Sequence, residues 1–85
     1  MSILNFSKKL FTTEELYKLG FKEEREGGYQ YLMMELAGGL LVTGDISDDE
    51  PISNDDVWRV YLNTEKGKQL SAGDIIGLIE QDAIV

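Results

Sequence analysis

The 85 residues, 42% hydrophobic and 28% charged, suffice for one small domain, and sixteen acids against eight bases leave a net charge of −8. With no cysteine and no histidine, the chain has no disulfide, no thiolate nucleophile, no Cys/His zinc site and no histidine acid–base catalysis. A field of this sign repels nucleic acid and anionic membrane and draws basic surfaces.

Residues 1–10 show no hydrophobic period. They read as a lead-in to a single domain spanning 1–85, with a short strand over 3–6 as the alternative. No secretory leader is visible in them: two lysines are not followed by an apolar run. The absence of cysteine fits a cytoplasmic location. Thr12 and Glu15 have the T-x-x-E spacing of a capping box, Phe11 can staple onto Leu16, and Gly20 suits a left-handed C-cap. A helix over 13–19 follows, too short to stand alone, with Leu16, Leu19 and Tyr17 as its docking residues. Gly27-Gly28 between two extended runs predicts a hairpin, its first strand a charged edge over 21–26 and its second over 29–36. Alternation places Leu32, Met34 and Leu36 on one face and Tyr29, Tyr31, Met33 and Glu35 on the other.

Ala37-Gly38-Gly39 turns into a third strand over 40–46. A three-residue turn, pairing Leu36 with Leu40 and Met34 with Val42, keeps one face apolar and is preferred. Gly44 marks a bulge or a close backbone approach. Residues 57–62 form the fourth strand, with Trp58, Val60 and Leu62 inward and Arg59 and Tyr61 outward. Residues 65–68 read as a turn. Ser71 and Asp74 repeat the capping box, Leu70 and Ile75 the staple. A helix over about 72–82 should bury Ile75, Ile76 and Ile79, with Gly77 as a point of close approach to the sheet. The expected fold is α+β: a four-stranded antiparallel meander with a helix at each end, in the order α-β-β-β-β-α.

The charge is uneven. Residues 1–42 hold six acids and five bases, residues 43–85 ten acids and three bases. Residues 45–56 concentrate it: Asp45, Asp48, Asp49, Glu50, Asp55 and Asp56, with no base among them. Asp45, Ser47, Asp49, the Pro51 carbonyl, Ser53 and Asp56 fall at the liganding positions of an EF-hand loop. However, Glu50 stands where that loop needs Gly, and Asp56 where it needs Glu. Weak calcium binding is thus an alternative, and no cofactor is expected. No P-loop, dinucleotide fingerprint or nucleophile elbow is present, so no enzyme is expected. Rows of carboxylates on a rigid frame can instead imitate the phosphates of a nucleic acid and occupy a cationic groove. Glu65, Asp74, Glu80 and Asp82 would join them if they share a face. Tyr29, Tyr31, Met33, Leu41, Val57 and Tyr61 should share the outward sheet face, which is too apolar for bare water. Either a helix covers it or it is an interface, for a partner or for a homodimer.

The segment F-T-T-E-E-L-Y-K-L-G-F, Phe11 to Phe21, resembles the opening of many small bacterial and phage reading frames. The compact acidic build resembles phage-encoded inhibitors of host defence, of the anti-CRISPR and anti-restriction kind. That resemblance implies a cytoplasmic protein-interaction module that inhibits a nucleic-acid-handling protein through its basic surface, without binding nucleic acid or membrane itself. The partner-binding residues expected are Asp45, Asp48, Asp49, Glu50, Asp55 and Asp56, with Tyr29, Tyr31, Met33 and Tyr61.

Overall fold

Local signals decide where both helices begin in the computed structural model, which describes residues 5–84. The side chain of Thr12 accepts the Glu15 N–H while Glu15 accepts the Thr12 N–H, opening helix α1 (Thr13–Leu19). Gly20, at φ 113°, ends it by returning its N–H to Leu16 and Tyr17. Ser71 and Asp74 exchange the same pair of bonds ahead of helix α2 (Ala72–Ile84). The lead-in is bonded to the start of α2 where it is described. The carbonyls of Lys8 and Phe6 accept the N–H groups of Ala72 and Gly73, which would otherwise lack partners in the first turn of α2. Asn5 and Phe6 form no strand, and the rest of that expected strand lies outside the described residues. The close approach expected at Gly77 belongs to Gly73, where a Cβ would meet Phe6 at 3.2 Å; the space beside Gly77 is open.

The fold is α+β and its strand pairs are antiparallel, but the sheet is larger than a four-stranded meander. Strands β1 (Phe11–Thr12), β2 (Lys22–Glu26), β3 (Tyr29–Leu36), β4 (Gly39–Thr43), β5 (Ile46–Ser47), β6 (Val57–Trp58), β7 (Val60–Leu62) and β8 (Glu65–Gln69) make up the described β structure. The main sheet runs β2-β3-β4-β7-β8, with β5 alongside β3, and β1 pairs with β6 in a separate ribbon. Three expectations are corrected. The run over 57–62 breaks at Arg59, so that Val57 and Trp58 join Thr12 and Phe11 while Val60 onward joins β4. Residues 65–68 are not a turn but most of β8, a polar edge strand bonded to β7. The β3–β4 turn holds two residues, Ala37 and Gly38, and pairs Leu36 with Gly39 and Met34 with Leu41. Gly39 makes that register possible. It sits at φ 144°, and a Cβ there would lie 2.9 Å from Leu62.

The corrected register exchanges Leu41 for Val42. Leu41 is fully buried in the core with Leu16, Leu32, Val60 and Ile75, and each such side chain contributes about 1.5–3 kcal/mol of burial. Phe11, Phe21, Trp58 and Leu70 complete the cluster, with Leu78 and Ile79 packed against it. Of the residues expected to dock α1, Leu16 does so while Leu19 and Tyr17 stay exposed. The core therefore draws α1, α2 and one face of the main sheet together. Tyr17 Oη donates to Glu23, which stands opposite Leu32, and Gly20 lies against Met34, both on that same face.

Candidate functional site

The acidic segment is fastened by its backbone. Ile46 pairs with Gln30 and Ser47 with Tyr29. The Asp48 N–H donates to Gly28 O at 3.0 Å. Gln30 is only 1% exposed, and its Nε2 donates to Ser47 O at 3.0 Å and also to Glu50 O. At the far end, Thr13 and Glu14 at the start of α1 donate their N–H groups to Asp56 O and Asn54 O. Trp58 Nε1 donates to Thr13 Oγ1 at 2.7 Å. Ile46 and Ile52 pack against the core. The loop thus hangs from backbone and apolar anchors and leaves most of its carboxylates outside.

Asp45, Asp49, Glu50 and Asp55 are exposed, and Asp48 and Asp56 are half-buried. The Asp56 carboxylate is already engaged, accepting the Ser53 N–H at 2.8 Å. Among the described residues the ion pairs are Lys8–Glu15 and Lys18–Glu14, so neither involves a carboxylate of this loop. Two acids elsewhere are spent internally: Asp74 caps α2, and Asp82 accepts the Ala37 N–H. Hydrogen bonding to Lys8 and to the Thr12 backbone holds Glu15 below its usual value, and bonding to Ser71 does the same for Asp74. Strand β5 extends the chain through the second and third positions of the EF-hand spacing, and among the described residues no three acidic groups gather as a metal would require.

The outward sheet face lies on the side away from both helices. Tyr29, Tyr31, Met33 and Tyr61 share it, as expected. Leu41 does not, being in the core, and Val57 does not, being exposed on the separate ribbon. Leu40 and Val42 take their place, opposite Glu35 and Met33. Tyr29 is 52% exposed; Tyr31, Met33 and Tyr61 are half-buried. Glu26 and Glu24 stand directly across from Tyr29 and Tyr31. Burial, then the charges of Glu26 and Glu24, raise the Tyr31 phenol above its usual value.

A concavity of about 320 Å³ opens on this face, bordered by Tyr31, Tyr61, Leu40, Val42, Glu26 and Asp45. The acidic segment and the aromatic face, two separate features in the sequence, meet along it. The meeting depends on one extra residue. Met33 pairs with Val42, but Gln30 pairs with Ile46, so four residues answer three and the strand bulges at 43–45. Thr43 Oγ1 fills the gap in the ladder by accepting the Leu32 N–H at 2.9 Å. Glu24, Glu26, Leu40 and Val42 were not among the expected site residues. A turn one residue shorter would have put Leu40 and Val42 on this face.

Comparison with protein-family models, with curated proteins and with solved structures finds no match.

Proposed function

We propose that this chain is a non-enzymatic interaction module that offers an acidic, nucleic-acid-like surface to the basic surface of a nucleic-acid-handling protein, as a phage or mobile-element inhibitor acting in the cytoplasm would. The observation that carries the reading is the pinned loop. Asp45, Asp48, Asp49 and Glu50 project from a backbone held by Gln30, Gly28 and β3, with no ion pair of their own among the described residues. Carboxylates held in this way can exchange water for a partner's lysines and arginines without first breaking internal pairs, and the backbone ordering is already in place. Glu24 and Glu26 on the adjacent hairpin extend the same negative surface. With neither histidine nor cysteine, the surface is suited to binding rather than to chemistry.

A second reading draws on the outward face alone, since both helices pack on the opposite side: a homodimer through Tyr29, Tyr31, Met33 and Tyr61. Salt separates the two, because charge pairing is screened and apolar burial is not. The test immobilises the protein, passes nuclease-treated host lysate, and elutes at about 0.1 M and then about 1 M salt, or with duplex DNA. The proposal expects bound proteins to leave with salt and with DNA, and the Asp48→Ser/Asp49→Ser/Glu50→Ser variant to retain none. Retention indifferent to DNA and to the triple substitution would overturn it.

A further inference from the structure

The concavity on the outward face has a composition that selects among cations. We propose that it receives the guanidinium of an arginine side chain from the basic partner; this deepens the proposed function and rests on it. Val42 forms the floor, paired with Met33 on one side and Tyr61 on the other. Tyr31 lies on β3 and Tyr61 on β7, one strand to either side of β4. Met33, not Tyr31, is aligned with Val42 and Tyr61; Tyr31 stands two residues further along β3, so the two tyrosine backbones lie diagonally, roughly 12 Å apart. Both tyrosines border the same concavity, so a planar group seated over Val42 can meet one ring or the other at its walls. The volume, about 320 Å³, is at the small end for ligand sites, which fits a single side chain better than a cofactor.

Charge supplies the second half of the argument. Glu26 and Asp45 border the same space, with Glu24 directly across from Tyr31. The nearby bases do not answer them. Arg25 stands opposite Gln30 on the buried face, Lys22 stands at the other end of β2, opposite Met33, and Arg59, whose carbonyl accepts the N–H of Gly44 beside Asp45, is in no ion pair among the described residues. Neither Glu26 nor Asp45 is in an ion pair among the described residues. An apolar floor, flanking aromatic rings and acceptors at the rim favour a planar, weakly hydrated cation that stacks by its face and donates by its edge. Guanidinium has these properties and ammonium lacks the first two. A neutral ligand would leave the rim carboxylates without a cation, and a metal ion would meet too few of them.

The test needs no identified partner. Hexa-arginine, hexa-lysine and hexa-citrulline peptides are titrated into the isotopically labelled full chain, and amide shifts are followed by NMR. Hexa-arginine should move the Tyr31, Val42 and Tyr61 amides and bind about fivefold tighter than hexa-lysine, the margin an added cation–π contact gives. Hexa-citrulline should move nothing. Glu26→Gln/Asp45→Asn, which keeps both rings, should weaken hexa-arginine about tenfold. Tyr61→Leu, which keeps an apolar wall, should erase the preference for arginine over lysine. Equal affinity for the two basic peptides, or shifts confined to residues 48–50, would overturn the assignment. Failure here is distinct from failure of the proposed function. If only the Asp48→Ser/Asp49→Ser/Glu50→Ser variant loses lysate partners, the pocket assignment falls alone. If arginine fills the pocket while that variant captures partners as well as the parent, the loop reading falls.

Discussion

Replacing Thr13 by Val tests how the acidic loop is tied to the frame. Thr13 is 1% exposed, and its hydroxyl accepts the indole N–H of Trp58, itself 4% exposed, at 2.7 Å. Val has nearly the same shape and a similar helix propensity, so packing and helix formation change little. What changes is that a buried indole N–H loses its acceptor, at a cost of about 1–3 kcal/mol, and that Asp56 O loses the long 3.4 Å bond from the hydroxyl while keeping the Thr13 N–H. An 85-residue domain has roughly 4–13 kcal/mol of stability in total, so the change is a sizeable fraction of it. At about 4–8 °C per kcal/mol for a domain of this size, a 2 kcal/mol loss lowers Tm by roughly 8–16 °C. Thr13→Ser is the control. It keeps the acceptor and loses one methyl, at about 0.8 kcal/mol. Urea melts give the stabilities. Because Trp58 is the sole tryptophan, a single indole N–H resonance reports the bond directly, and it should move in Thr13→Val and stay in Thr13→Ser. A Val variant as stable as the parent, with that resonance unmoved, would refute the anchor at Thr13.

Gln30→Met keeps the buried volume but removes the donors that hold Ser47 O and Glu50 O. Hydrogen exchange at residues 48–50 should accelerate about tenfold or more while the β7 amides keep their protection, and unchanged loop exchange would remove Gln30 from its role. Gly39→Ala forces a side chain into φ 144° and toward Leu62; denaturant melts should register a loss of about 1–3 kcal/mol. Glu15 and Asp74 have folded-state values below their ordinary 4.5 and 3.8, so the charged forms favour the fold. Their stabilisation is present above those ordinary values and is lost as pH falls through the lowered ones. The stability gap between the parent and a Glu15→Gln/Asp74→Asn variant should therefore be larger at pH 7 than below about pH 3, as urea midpoints at the two pH values would read. Tyr17, pushed up to about 12 by burial and then by its bond to Glu23, should titrate closer to the ordinary tyrosine range in Glu23→Gln, read by ultraviolet absorbance.

The parts of this fold that the sequence reveals are those held by neighbours in the chain. Thr12 with Glu15, and Ser71 with Asp74, are three residues apart, and their spacing alone implies the bonds that form. Gly27 and Gly28 turn the first hairpin with positive φ at both. Distant partners decide the rest. The tripeptide Ala37-Gly38-Gly39 permits turns of more than one length, and the choice falls to Gly39 against Leu62 and Leu41 against the core. Nothing between Val57 and Leu62 announces a break at Arg59, because the strand that takes Val57 and Trp58 lies at Phe11 and Thr12. The segment Glu65–Gln69 forms an edge strand through backbone bonds while carrying polar side chains, so it leaves no hydrophobic period to read.

The bulge at Gly44 shows why the candidate site was half visible. Leu41 and Thr43 face the core, and strict alternation would send Asp45 after them, toward Gln30 and Leu32. A carboxylate there would lose its water beside the apolar Leu32, and an unpaired one costs several kcal/mol. One extra residue resolves the conflict. It rephases the strand so that Ile46 turns inward to pack on the core, and it leaves Asp45 exposed at the rim, beside Tyr31 and Tyr61. The need to bury Ile46 and to keep Asp45 in water therefore places a carboxylate at the edge of a concavity that two tyrosines border. The acidic run and the tyrosines could each be read along the chain, but their meeting follows from that single insertion.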